Sequence, residues 1–533
     1  MTFARKNLAM PAVILGSLLL GALYSHFAGE DINWDWRNYH EYGAYALLNG
    51  RFDTDVAPGG FQTFLNPLAY VPPYLLRHLV GAPFWGPLLG AIHGLNLALI
   101  FWITRGTLGN AANALVLIAS VVIAAFGPMT LSEVGTSFAD ILTALPIIAG
   151  VGLILLDDEA QRLRLLAAGL LMGAAAGLKL TNMTFLIGAG ISLLVTARPL
   201  PSVAFFGLGC AAGAVATGGA WAYKLWTEFG NPVFPFYNGI FRSPEAPLES
   251  FADERFMPHG LLDALAYPFY WLVGDHRSSE WAFRDPRFAV LIVLLLLTIA
   301  MGRWRKVEVL HPRDNQFLLL FWASYALWLK VFSIHRYAIV LELLTAPLIV
   351  LLLSRLLAAL RPVAKEGASS RVAGMVTAVA ASLIVMGSQP ADWSRRPWSS
   401  SYRPQLAAAL KTPATYLMLE KPMGYIVPLL PTGSRVYQLS DIVMPIAPGG
   451  LLDRRIRAGL ADPLPGGVWA LHLKGSLPRL DLLKPYGLEI DAARPCTRIP
   501  GADVADIEAC PLLARAAQSS TAAVKPAGRA AAD

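Results

Sequence analysis

Charge is scarce in this chain. Only 15% of its 533 residues are Asp, Glu, Lys or Arg, while 55% are hydrophobic, where a soluble domain carries about 25% charged residues. That deficit excludes an ordinary soluble domain. Cysteine is scarcer still, with three in all, and none falls in a CxxC or zinc-finger spacing. There is no Walker A loop, no GxSxG elbow and no HExxH helix, which removes the usual signatures of nucleotide binding, serine hydrolysis and zinc proteolysis. The nine histidines are scattered, and no strong metal site can be read from them. The apolar stretches do not alternate with polar residues, which excludes a membrane β-barrel. The net charge of +7 comes with no basic tail and no RNA-binding signature. The cations sit at the ends of apolar runs, as the positive-inside rule requires, so nucleic acid is not an expected partner.

What is present is a succession of long apolar runs. The roughly 20-residue length needed to cross a bilayer predicts about eleven spans, at 8–27, 82–104, 111–127, 138–156, 164–178, 183–197, 201–225, 287–302, 316–332, 337–358 and 372–387. The fold class is therefore an all-α polytopic membrane protein. The runs at 164–178 and 183–197 are short, and read either as two spans or as one broken pair. With Arg5 and Lys6 in the cytoplasm, the alternate loops hold Arg105; Arg162 and Arg164; Arg198; Arg303, Arg305 and Lys306; and Arg361, Lys365 and Arg371. This places the N-terminus inside. The first span lacks a small-residue cleavage site and reads as an anchor rather than a signal peptide.

That orientation leaves the loops 28–81 and 226–286, the turn 128–137 and everything after about 388 on the outer side. The membrane domain is bounded at 1–387. The runs "SRVYQLS", "GVWALHLKG" and "GLEIDA" between Pro and Gly turns predict a small α/β domain over 388–515, and 516–533 reads as a disordered end. Cys210 lies in a span and reads as core. Cys496 and Cys510 could pair in an oxidising compartment; two free thiols are the alternative.

The stretch "INWDWRNYHEYGAYALLNGR", residues 32–51, sets Asp35, Arg37, His40 and Glu41 among aromatic rings just after the first span. Tyr39, Tyr42, Gly43, Ala46, Leu47 and Gly50 recur at helical spacing, which predicts an amphipathic helix lying at the interface with Trp34 and Trp36. Asp35 then reads either as an N-cap or as a functional acid. Asp140, in "LSEVGTSFADILTALP", stands at the outer mouth of the fourth span with Glu133 before it. An acid there is costly unless hydrated or paired; a simple helix start is the alternative. Lys179, Lys224, His335 and Arg336 lie at outer turns, where the positive-inside rule does not account for them. An anionic ligand such as a phosphate would. The Pro- and aromatic-rich "EFGNPVFPFYNGIFRSP", residues 228–244, reads as an interfacial anchor or as a cover over a lipid or sugar site.

These features together resemble the GT-C glycosyltransferases, multi-span enzymes that use lipid-linked sugar donors. "DWRNYHEYGAYALLNG" fits D-x-x-x-Y-x-E followed by a leucine pair and Gly, through Asp35, Tyr39, Glu41, Leu48 and Gly50, as in the branch that includes dolichyl-phosphate-mannose and aminoarabinose transferases. The branch's usual Asp-Glu pair is Asp-Trp here. "SFADILTALP" resembles its second outer acid through Asp140, "AAAGLKLTNMTFLIGAGISLL" its short helix pair through Lys179, and "HRYAIVLELLTAPLIVLLL" its late span. The resemblance covers about 8–360, and the tail has no counterpart.

It implies catalytic roles for Asp35, as general base, and Asp140, which would orient the acceptor, assist Asp35 or hold a divalent ion. It implies substrate contacts from Tyr39, His40, Glu41, Lys179, Lys224, His335, Arg336 and Tyr337. The donor would be a polyprenyl-phosphate sugar and the acceptor a periplasmic or lipid-linked glycan, at the outer face of a bacterial inner membrane, with no certain cofactor. The rival readings are a transporter or lipid flippase, for which no inverted repeat is seen, an O-antigen-type polymerase or ligase, and a non-catalytic scaffold whose tail recruits partners.

Overall fold

The computed structural model describes residues 2–156, 161–249, 253–274, 276–360, 366–398, 406–499 and 505–514; the expected disordered end at 516–533 lies outside them. Helices occupy each of the expected apolar segments: Thr2–Ala28, Trp85–Leu108, Ala114–Ala125, Ala139–Leu155, Gln161–Leu178, Met183–Leu193, Pro199–Phe229, Arg287–Arg305, Pro312–Val331, Ile339–Leu360 and Glu366–Gly387. Among the described residues, five helical stretches are long and apolar enough to cross a membrane: Met10–Ala28, Trp85–Leu108, Pro199–Phe229, Arg287–Arg305 and His335–Leu360. The expected total of eleven crossings is not carried by helix length, because several partners in the bundle are shorter.

Small residues let the helices approach. A Cβ on Gly94 would come within 2.1 Å of the Ser17 carbonyl oxygen, so the first helix and Trp85–Leu108 pack backbone to backbone. Glycines that cost a soluble helix stability serve a packing role here.

Beyond the last helix lies a small sheet domain. Its strands run in the order Arg435–Gln438, Thr415–Met418, Val468–Leu473, Ile507–Ala514 and Leu488–Ile490. The first three are parallel, and Ile507–Ala514 pairs antiparallel to Val468–Leu473. The amphipathic helix Leu451–Ala461 makes the crossover that parallel strands need. Cys496 and Cys510 are disulfide-bonded, so of the two readings of this pair the structure carries the first.

Several contacts tie this domain to the loop after the first helix, among them hydrogen bonds from Val436 N to Asp55 and from Phe61 N to Asp441. Val56 bridges the edge strand, accepting from Gln438 N and donating to Val436 O, both at 2.9 Å. Gly424 presses on the Asn38 carbonyl, which a Cβ would reach at 2.0 Å. A second, two-stranded pairing joins Glu30–Asp31, after the first helix, to Arg395–Arg396, after the last.

The stretch 32–51 departs from the expected interfacial helix. Residues 36–40 form a π-helical turn, in which Glu41 N–H reaches Trp36 O, before an α-helix over Glu41–Asn49. Trp36, Tyr39 and Tyr42 are buried in protein contacts, and only Trp34 of the two tryptophans is exposed. Trp36 packs on Tyr425 and on the Arg77 guanidinium. Tyr42 and Ala46 enter the core of the sheet domain. Trp36 and Tyr42 face protein because that domain covers the helix, whereas Tyr39 packs with Ala69, Tyr70 and Ala139.

Candidate active site

Asp35 begins the π-turn in helical geometry (φ −66°, ψ −40°) and makes no side-chain capping bond, which sets aside its reading as an N-cap. Its carboxylate instead forms an ion pair with Arg336, 301 residues later, from the turn His335–Ala338. Burial alone would raise the Asp35 pKa, but Arg336, by its charge and its hydrogen bond, together with Lys179, more than offsets it and holds the carboxyl below its usual range. The Arg336 guanidinium lies over the rings of Phe138 (4.7 Å), Tyr337 (5.2 Å) and Trp393 (5.4 Å). Aromatic faces suit a planar, weakly hydrated cation.

A second ion pair stands beside the first. Asp140, in the first turn of Ala139–Leu155, receives Lys179 Nζ at 2.6 Å. Lys179 interrupts the helical run between Leu178 and Leu180 (φ −145°), and its ammonium sits 4.7 Å from the Tyr337 ring centre. Asp140 is buried and paired, not an exposed helix start. The helix N-terminus is served by Glu133, whose Oε2 accepts from Ile141 N at 3.1 Å. Glu133 is fully buried, and burial, then the Asp140 charge, pushes its pKa well above the usual carboxylate range.

Tyr39 and His40 close the same site. Both feel the charges of Asp35 and Arg336. His40 stacks on Tyr70 at 4.2 Å and 17°, with Tyr39 edge-on to both rings. Burial pushes the His40 pKa down to about 3. Asp35, Tyr39, His40, Asp140, Lys179, Arg336 and Tyr337, expected from sequence as site residues, are thus gathered in one place. Lys179 and Tyr337 are its half-buried members.

Three expected residues are placed elsewhere. Glu41 points the other way from its helix, accepting from Trp36 Nε1 at 2.9 Å and meeting His78 Nε2 at 2.5 Å. Lys224 binds Asp53 at 2.7 Å and Glu228 at 3.6 Å, where the last turn of Pro199–Phe229 meets the sheet domain. His335 is fully buried, facing away from its neighbour Arg336. It sits against Trp271 and Phe283, near Asp285 (3.5 Å) and Glu342 (3.7 Å).

The Asp285, His335 and Glu342 ligand atoms lie within 4.8 Å of one another, but Arg287 occupies that space, donating to Asp285 at 2.7 Å and reaching Glu342 at 3.1 Å. Glu342 also accepts from Met129 N, Thr130 N and Thr130 Oγ1. This is a buried charged hub whose positive charge is a guanidinium rather than a metal. An acid inside the most apolar span was its signal in the sequence.

Sequence reasoning also passed over Tyr70, Phe138, Trp393 and Ser137. Phe138 and Ser137 lie in the stretch already singled out for Asp140, where the acid drew the reading past its neighbours; Tyr70 and Trp393 come from segments with no chemical signature.

Comparison with solved structures gives the fold. ArnT from Cupriavidus metallidurans bound to undecaprenyl phosphate aligns with a TM-score of 0.52 at 11% identity, over 95% of this chain and 98% of that one. The apo state of the same protein aligns with a TM-score of 0.52 at 12% identity, over 96% and 98%. The architecture is that of the GT-C membrane enzymes. A model of glycosyltransferase family 87 matches residues 64–329, so this part of the chain is similar to a glycosyltransferase family while the whole has the fold of ArnT. Comparison with curated proteins gives no match.

Proposed function

We propose that the chain transfers a sugar from a polyprenyl-phosphate donor to a periplasmic or lipid-linked glycan acceptor at the outer face of a bacterial inner membrane. The observation that carries this reading is the pair of neighbouring ion pairs, Asp35–Arg336 and Asp140–Lys179. They put two cations and two carboxylates in one site, bordered by Tyr337. The undecaprenyl phosphate in the crystal structure of ArnT supports the donor class.

The phosphate of the donor is held by Lys179 and Arg336, which replaces water by fixed charges. Engaging Arg336 relieves Asp35 of its partner. The acceptor hydroxyl oxygen then bonds to the anomeric carbon, the bond from that carbon to the phosphate oxygen breaks, and the hydroxyl proton passes to Asp35. The polyprenyl phosphate leaves with its added negative charge facing the two cations. Asp140 keeps Lys179 in place. The membrane domain, 1–387, carries the site, and the periplasmic sheet domain, 388–515, backs the loop that holds Asp35.

The test is transfer by the purified protein from a panel of undecaprenyl-phosphate-linked sugars to candidate glycan acceptors. Asp35→Asn is expected to lower turnover by about 10²–10⁴-fold, the contribution of a positioned base, while leaving undecaprenyl phosphate bound. Undiminished turnover removes Asp35 as base, and lipid movement across liposomes without a new glycosidic bond favours a transporter.

A further inference from the structure

We propose that His40 touches substrate through a bare Nε2 lone pair, which accepts a hydrogen bond from a hydroxyl of the donor sugar or of the acceptor. The proposal rests on the glycosyl-transfer reading above and adds to it a residue that selects among hydroxyls.

Counting protons fixes the tautomer. Ser137 Oγ lies 2.8 Å from Asp31 Oδ2 and 2.9 Å from His40 Nδ1. A hydroxyl has one proton to give. Asp31 is a buried carboxylate that already draws in Ser137 N at 2.8 Å, Asn33 N at 3.1 Å and Asn33 Nδ2 at 2.7 Å. A charged acceptor takes the proton in preference to a neutral ring nitrogen. Ser137 can then only accept from His40, so Nδ1 carries the hydrogen. A neutral imidazole has one N–H, and Nε2 is left unprotonated. Neutrality follows from burial, which holds the pKa down to about 3 although Asp35 draws it up; Lys179 and Arg336 add to the depression.

The ring cannot turn to trade its nitrogens. Tyr70 covers one face, and Tyr39 and Phe138 meet it edge-on. Among the described residues Nε2 has no hydrogen-bond partner. The cations that act on the ring, Lys179 and Arg336, are each committed to a carboxylate. Nε2 is not among the sealed side-chain atoms that lack a partner, so an occupant of the site that brings an O–H can reach it. The π-turn is what presents the group: its wider spacing carries Asp35 and His40 to one side of the chain. A hydroxyl held by Nε2 is therefore held beside the proposed base.

The experiment uses the full-length protein, the panel donor and acceptor that wild type turns over, and deoxy analogues of each. His40→Phe keeps the ring and removes the lone pair; Ser137→Ala keeps the imidazole and releases its tautomer. Both are expected to bind undecaprenyl phosphate as wild type does, which also reports folding. His40→Phe is expected to lose about ten- to hundredfold in kcat/KM, the range of one hydrogen bond to a buried acceptor. One deoxy analogue costs wild type that same factor and costs His40→Phe nothing further. Coupling to a deoxy donor assigns the hydroxyl to the donor sugar; coupling to a deoxy acceptor assigns it to the acceptor. Ser137→Ala shows a smaller loss with weakened coupling, and it carries the test if His40→Phe does not fold. Equal deoxy penalties in wild type and variants overturn the proposal for His40 alone. A wild type inert on the whole panel overturns the donor reading and this inference with it.

Discussion

Asp35, His40 and Glu133 share one site and are pushed in different directions. Asp35 is held low by Arg336, and His40 is held to about 3 by burial. Neither changes charge near neutral pH. Glu133, raised by burial and by Asp140, is the carboxyl of this group brought towards it. Its ionisation would place another negative charge beside Lys179 and Arg336 and compete with a donor phosphate for them. Transfer is therefore expected to fall as pH rises through the raised Glu133 pKa, and Glu133→Gln is expected to remove that fall. Measuring kcat/KM from about pH 5 to about pH 9 checks this, since a free-enzyme profile reports such groups. An acid limb near the ordinary histidine value of about 6.5, abolished in His40→Phe, would contradict it.

The π-turn over Trp36–His40 and the segment Gly424–Leu429 act as one unit. Gly424 has no side chain because the Asn38 carbonyl occupies the space. Gly424→Ala is expected to cost about 1–3 kcal/mol, the usual penalty for overpacking, and to reduce transfer as well, since Asn38 lies between Asp35 and His40. Gly207→Ala, with nothing within 4 Å of its Cβ, is the control and should change neither. Denaturant titration of the purified protein alongside the transfer assay separates the two effects.

At this scale the sequence was legible only in part. Apolar runs announced the helices, and charged residues interrupting them announced Asp140, Lys179 and Arg336, because an ion beside a bilayer needs a reason. The π-turn left no such mark, since one extra residue per turn changes no composition. Glu41 and Lys224 were charged and well placed along the chain; what moved them out of the site were His78 and Asp53, and partners distant in sequence are invisible to local pattern. His335 and Arg336 looked alike as neighbouring cations, yet a single turn sends one into the Asp285–Arg287–Glu342 hub and the other to Asp35.

For the whole molecule, the sheet domain and the site share one end of the bundle, joined through Val56 and Gly424. The proposed orientation, with the N-terminus cytoplasmic, would turn that end to the periplasm, an oxidising compartment in which a disulfide such as Cys496–Cys510 persists. Leu477 is 95% exposed on the sheet domain, and Trp304 is 72% exposed near the end of Arg287–Arg305. In a Cys210→Ala background, Leu477→Cys is expected to react with a membrane-impermeant maleimide in intact spheroplasts, and Trp304→Cys only after lysis. The reverse pattern would invert the orientation and with it the compartment of the reaction.

The pairing of Glu30–Asp31 with Arg395–Arg396 has a consequence for how the protein is made. The ribosome delivers Asp31 early and Arg395 only after every helix of the bundle has emerged. Until then Glu30 lacks its Arg396 partner at 2.8 Å, and the start of the chain waits open for its far side. A nascent or truncated chain that stops before that point is left without the clasp, so closure of the bundle's two ends on each other is deferred until its last helix has been made.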